Sequence, residues 1–83
     1  MTVIIIEDER LIAAAIEKEI RKADPTINIP VRLESISGAL EYFSENSLPD
    51  LFFSDIQLSD GLSFEIFRTL KSTVPVIFCT AFN

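Results

Sequence analysis

Glu7 and Asp8 close the apolar run Val3-Ile4-Ile5-Ile6, and Asp55 follows Leu51-Phe52-Phe53 with only Ser54 between. Two buried strands that each end in carboxylates can bring those carboxylates to one edge of a parallel sheet. Such a pocket suits a hard cation, because Mg2+ takes oxygen ligands in a near-octahedral shell and keeps several waters. Asp8 and Asp55 supply carboxylate oxygens, the backbone carbonyl of Gln57 offers a third ligand, and Glu7 is placed to hold a metal-bound water. Clustered carboxylates repel, and a divalent cation offsets that repulsion. Asp55 is the candidate nucleophile: a carboxylate accepts a phosphoryl group to give an acyl phosphate, through a transition state that needs mainly positioning and charge neutralisation. The Thr80 hydroxyl and the Ala81 backbone N–H are candidates to bind the phosphoryl oxygens.

Each residue alone has a plainer reading. Asp8 is a plausible helix N-cap, Thr80 a strand-end hydroxyl, and Glu7 a solvent-facing acid. What favours chemistry is that these positions close three successive buried strands.

Those strands follow from the hydropathy pattern. Residues 2–6 are apolar and β-branched, as in a central strand buried on both faces. From Glu9 to about Lys22, Ile12, Ile16 and Ile20 recur at helical spacing, with Leu11 and Ala15 beside them. Asp24-Pro25 stops that helix. Val31 to Ser35 alternates apolar with charged residues, which suits an edge strand. Ser37 is a candidate cap for a second helix, with Leu40 and Phe43 inward. Leu51 to Ser54 is the second central strand, and Ser59-Asp60-Gly61 a turn. Leu62 to about Leu70 is a third helix with Ile66, Phe67 and Leu70 on one face, and Pro75 to Cys79 the fourth strand. The order β-α-β-α-β-α-β implies an α/β fold, a parallel sheet with helices on both faces. Ligands of such sheets bind beyond the carboxyl ends of the strands.

Composition excludes several function classes. The 83 residues allow one small domain, and 48% apolar content argues against disorder despite a net charge of −6. Phosphate contact needs clustered Lys and Arg, so direct nucleic-acid binding by this segment is not expected. The chain has no His, which removes Ser-His and Cys-His pairs, His metal sites and phosphohistidine carriers. A lone cysteine, Cys79, precludes an internal disulfide and reads as a buried structural thiol. No run reaches the roughly 20 apolar residues that span a bilayer, and no basic leader precedes an apolar core; a cytoplasmic location is expected. With two glycines there is no phosphate-binding glycine loop.

The segments Ile4-Ile5-Ile6-Glu7-Asp8-Glu9, Asp55-Ile56-Gln57-Leu58-Ser59-Asp60-Gly61 and Phe78-Cys79-Thr80-Ala81 resemble the receiver domain of two-component response regulators, in order and spacing, over essentially the whole chain. The stretch Asp55-Ile56-Gln57-Leu58 with Asp60-Gly61-Leu62, and the Thr80-Ala81-Phe82-Asn83 ending, look most like receivers attached to LytTR-type DNA-binding domains. The resemblance implies a flavodoxin-like, CheY-like doubly wound sheet, here of order 2-1-3-4. It implies Asp55 as phosphoacceptor, a histidine kinase as donor, a Mg2+ site at Glu7, Asp8, Asp55 and the Gln57 carbonyl, and Thr80 as the switch hydroxyl. It implies a phosphorelay switch and not an enzyme in the strict sense, serving an output domain in transcription regulation.

Two departures from the family pattern stand out. Ser59 occupies a position where many receivers carry proline, a mild change in loop stiffness. The family pattern also continues past Asn83 with a helix, a lysine-bearing strand and a last helix, so residues 1–83 are expected to be a receiver truncated after its fourth strand. Val76-Ile77-Phe78-Cys79 is then expected to form an exposed apolar edge, and two copies to associate through it or through the uncovered apolar faces beside it. A receiver-like interaction module that never accepts phosphate is the alternative. An aspartate-based phosphohydrolase is disfavoured, because Gln57 stands where its general acid belongs and cannot exchange a proton.

Overall fold

In the computed structural model, which describes residues 1–79, the apolar run Val3–Ile6 forms strand β1 with all four side chains buried. Strand alternation sends Ile4 and Ile6 into one hydrophobic cluster and Val3 and Ile5 into another. The elements that follow are α1 (Arg10–Ala23), β2 (Arg32–Leu33), α2 (Ile36–Phe43), β3 (Leu51–Ser54), β4 (Gln57–Leu58), β5 (Gly61–Leu62), α3 (Phe64–Leu70) and β6 (Val76–Phe78). The main sheet runs β2-β1-β3-β6 with every pair parallel. Counting only its own strands, this is the doubly wound order 2-1-3-4 read from the sequence.

Helices cover both faces. On one, Ala13, Ile16 and Ile20 of α1 pack against Val3, Ile5 and Phe53. On the other, Ala39 of α2 and Ile66 of α3 join Ile4, Ile6 and Phe52. Phe52 is fully buried and is the hub of an aromatic group. Its ring centroid lies 5.7 Å from Phe43 and 4.9 Å from Phe67. Both separations fall in the range where edge-on and tilted pairs are favourable.

Several local expectations need correction. The inward stripe of α1 is Ala13, Ile16 and Ile20; Ile12 is half-buried at its margin and Leu11 is exposed. From α2, Ile36, Ala39, Tyr42 and Phe43 join the core cluster; Leu40, half-buried like Phe43, is not among them. That helix starts two residues earlier than expected, so Ser35 and not Ser37 is its cap, its hydroxyl accepting from the Gly38 amide at 3.0 Å. The stretch read as a turn is the tip of a short antiparallel hairpin, β4–β5, with Gln57 opposite Leu62 and Leu58 opposite Gly61. Two-residue strands are too short for periodicity to reveal. Leu62 belongs to this hairpin, so α3 begins at Phe64.

Candidate functional site

Three strands end at the same level. The Glu7 amide donates to Leu33 O on β2, the Asp55 amide to Ile6 O on β1, and the Cys79 amide to Ser54 O on β3, at 2.8 to 2.9 Å. These bonds carry the ladders one residue beyond the regular strands. They fix the register that puts Glu7, Asp8 and Asp55 at one sheet edge, the carboxyl edge where open α/β sheets bind ligands. One carboxylate oxygen from each of the three residues lies within 4.8 Å of the other two.

Glu7 is 3% exposed, so the solvent-facing reading of that residue is wrong. Its Oε2 accepts from the Glu9 amide at 2.9 Å. Burial pushes its carboxyl above the ordinary carboxylate range; the Glu9 amide pulls the other way, while Asp8 and Asp55 add to the rise. A buried acid facing two other acids favours its neutral form for two reasons, lost hydration and like charge. Asp8 does not cap α1. The helix starts at Arg10, its N-cap position is Glu9, and no side chain caps it there. Asp8 instead remains half-buried in the acid group.

Asp55 is half-buried, and its Oδ1 accepts from the Ile56 amide at 2.8 Å. Gln57 lies two residues on, in β4, with an exposed side chain. Thr80 and Ala81 lie outside the described residues. Cys79, expected to be a buried thiol, is half-buried because β6 is covered on only part of its surface. Burial raises its thiol pKa, and the charges of Glu7 and Asp55 raise it further.

The donor set is entirely carboxylate oxygen, with a backbone carbonyl nearby in sequence. That chemistry fits a hard divalent cation such as Mg2+ and gives softer metals no sulfur or imidazole ligand.

Two contributors to this region escaped the sequence reading. Ser63 is completely buried, and both its amide and its hydroxyl donate to Ile56 O, at 2.9 and 3.2 Å. Asp60 accepts at Oδ1 from the Ile36 amide (2.9 Å) and at Oδ2 from the Ser37 amide (3.1 Å), across more than twenty residues of chain. The available signals were weak: a serine just ahead of a helix and an Asp-Gly pair in a turn each have commoner local explanations.

Comparison with known proteins agrees with this geometry. Residues 3–83 match the family described as the response regulator receiver domain. Over all of its length the chain is 29% identical to the sensory transduction protein LytT of Bacillus anthracis, of which it covers 35%. Among solved structures, the response regulator PhyR from Brucella abortus is 32% identical with a TM-score of 0.81, over 98% of this chain and 33% of that one. The MaeR response regulator bound to beryllium trifluoride is 28% identical with a TM-score of 0.77, over 100% of this chain and 69% of that one. The chain thus spans about a third of the length of the curated relatives it matches. Among the described residues no helix is long and apolar enough to cross a membrane.

Proposed function

The chain belongs to the response regulator receiver domain family, and on that premise we propose that it is a phosphoacceptor switch that takes a phosphoryl group from a partner histidine kinase onto Asp55. The observation that carries this reading is the meeting of Glu7, Asp8 and Asp55 within 4.8 Å at the carboxyl edge of a parallel sheet. Asp55 supplies the nucleophilic oxygen. Its free oxygen forms the new bond to phosphorus while the bond from phosphorus to the donor breaks, the electron pair leaving with the donor. The product is an acyl phosphate at the strand tip.

Glu7, Asp8, Asp55 and the Gln57 carbonyl would hold Mg2+. When bound, the cation supplies charge neutralisation for the incoming phosphoryl oxygens. The backbone does the positioning: the Asp55 amide is tied to Ile6 O, and the Ile56 amide holds one Asp55 oxygen. Thr80 and Ala81 receive the phosphoryl oxygens in this reading. The chain is an acceptor for its kinase and not an enzyme acting on a separate substrate. Its phosphorylation state governs an output domain, which the likeness to LytT suggests is DNA-binding, and it works in the cytoplasm. The outer edge of β6, where Ile77 and Phe78 are 46% and 38% exposed, pairs with a second copy.

Intact-mass measurement after incubation with acetyl phosphate and Mg2+ tests the reading. One phosphoryl group is expected on the wild-type chain and none on Asp55→Asn. If the wild type takes up no phosphate, or Asp55→Asn still does, the acceptor assignment fails and the unphosphorylated interaction module takes its place.

A further inference from the structure

Asp60 and Ser63 lie outside the acid group, yet both tie down the loop that carries Asp55 and Gln57. The loop leaves β3 at Asp55, turns through β4 and β5, and enters α3. It is held at three places. At its base, Ser63 donates twice to the Ile56 carbonyl, fixing the Ile56–Gln57 peptide plane directly after Asp55. In its middle, Leu58 is 3% exposed and sits in the core cluster with Ile66 and Phe52. At its tip, the Asp60 carboxylate spans the first two amides of α2. Those amides have no partner within their own helix, so a carboxylate from elsewhere in the chain satisfies them and complements the positive end of the helix.

The tip is shaped for this contact. Gly61 has φ +139°, a conformation open to glycine, and a Cβ there would stand 3.0 Å from Ile36 Cδ1. A side chain at residue 61 would strain this backbone and press on the end of the Ile36 side chain.

We propose that Asp60 and Ser63 are positioning residues for the acid site: together they hold the Asp55–Gln57 segment in the geometry that admits the cation, and Asp60 links that segment to the N-terminus of α2. The inference rests on the cation site proposed above. Groups that orient first-layer metal ligands commonly carry a 10- to 100-fold share of metal affinity. A loop anchored at both ends is also already ordered before the ion arrives.

The test is a Mg2+ titration of the whole chain followed by amide NMR, on wild type, Asp60→Ala, Asp60→Asn and Ser63→Ala. In the wild type, Mg2+ is expected to shift the Ile36 and Ser37 amides together with those of Asp8 and Ile56. Asp60→Ala is expected to bind roughly 10-fold more weakly and to lose the response at residues 36 and 37, while residues 8 and 56 still shift. Asp60→Asn, which keeps one carbonyl acceptor, should fall between. Should Asp60→Ala not fold, the Asn and Ser63→Ala variants carry the same comparison. Wild-type affinity in folded Asp60 and Ser63 variants would overturn the positioning role, as would wild-type amides at 36 and 37 that ignore Mg2+. A wild-type chain in which no amide responds refutes the cation site itself, and the proposal with it.

Discussion

Replacing Asp8 by Asn is expected to make the metal-free protein more stable, although it removes a functional side chain. Three carboxylates with oxygens within 4.8 Å repel one another. At that distance a pair of unit charges costs about 1 kcal/mol in a water-like medium and about 3.5 kcal/mol at an effective dielectric of 20. Asp8 and Asp55 are half-buried, which favours the lower figure. Asp8→Asn removes the charge common to two of the three pairs while preserving shape. A gain of about 1–2 kcal/mol follows, or roughly 5–15 °C in Tm for a domain of this size. Thermal unfolding by circular dichroism in EDTA measures it. Addition of Mg2+ should reverse the order: the wild type gains stability through binding, by about 2.7 kcal/mol at a hundredfold excess over Kd, and the variant gains much less. An Asp8→Asn protein less stable than wild type in EDTA, or equally stabilised by Mg2+, would refute the argument.

Other perturbations probe separate parts of the account. Phe52→Ala empties the centre of the aromatic group and should cost about 3–5 kcal/mol, much of the stability such a domain has; urea unfolding that shows less than about 1 kcal/mol would contradict its place at the hub. The amides of Ile36 and Ser37 hold the Asp60 carboxyl below its ordinary value of 3.8. A depressed folded pKa adds stability above the unfolded value and loses it as pH falls through the folded one. Asp60→Asn should therefore flatten the fall in stability below about pH 4, as seen in unfolding midpoints across that range, and an unchanged acid limb would count against the cap. The β6 edge should support reversible, concentration-dependent dimerisation in sedimentation experiments, and Ile77→Lys should abolish it; a wild type that stays monomeric at high concentration would exclude this interface.

The fold was legible because its signals are dense. Val3–Ile6 and Leu51–Ser54 are apolar runs of strand length, and the helical spacing between them leaves few alternatives to a parallel sheet with crossovers. The acid group followed from the same logic, since Glu7, Asp8 and Asp55 stand directly after those runs. What remained illegible depends on contacts distant in sequence. Nothing near Asp60 announces that its partners are amides 23 and 24 residues earlier. Ser63 looks like a helix cap but turns its hydroxyl back to Ile56. The phase of α1 was misjudged because Ala13, a small residue with a weak hydropathy signal, sits closer to the sheet than Ile12. The depth of Glu7 is not legible either: a carboxyl after a strand is usually exposed, and its burial shows only in the folded chain.

The central claim is that Glu7, Asp8 and Asp55 form one cation site that prepares Asp55 for a phosphoryl group. A beryllofluoride titration followed by amide NMR, with and without Mg2+, tests it most directly. The account expects saturable shifts at residues 6–8 and 54–57 that require both reagents and vanish in Asp55→Asn. Shifts that persist without Mg2+, survive in Asp55→Asn, or fall elsewhere on the sheet would contradict it.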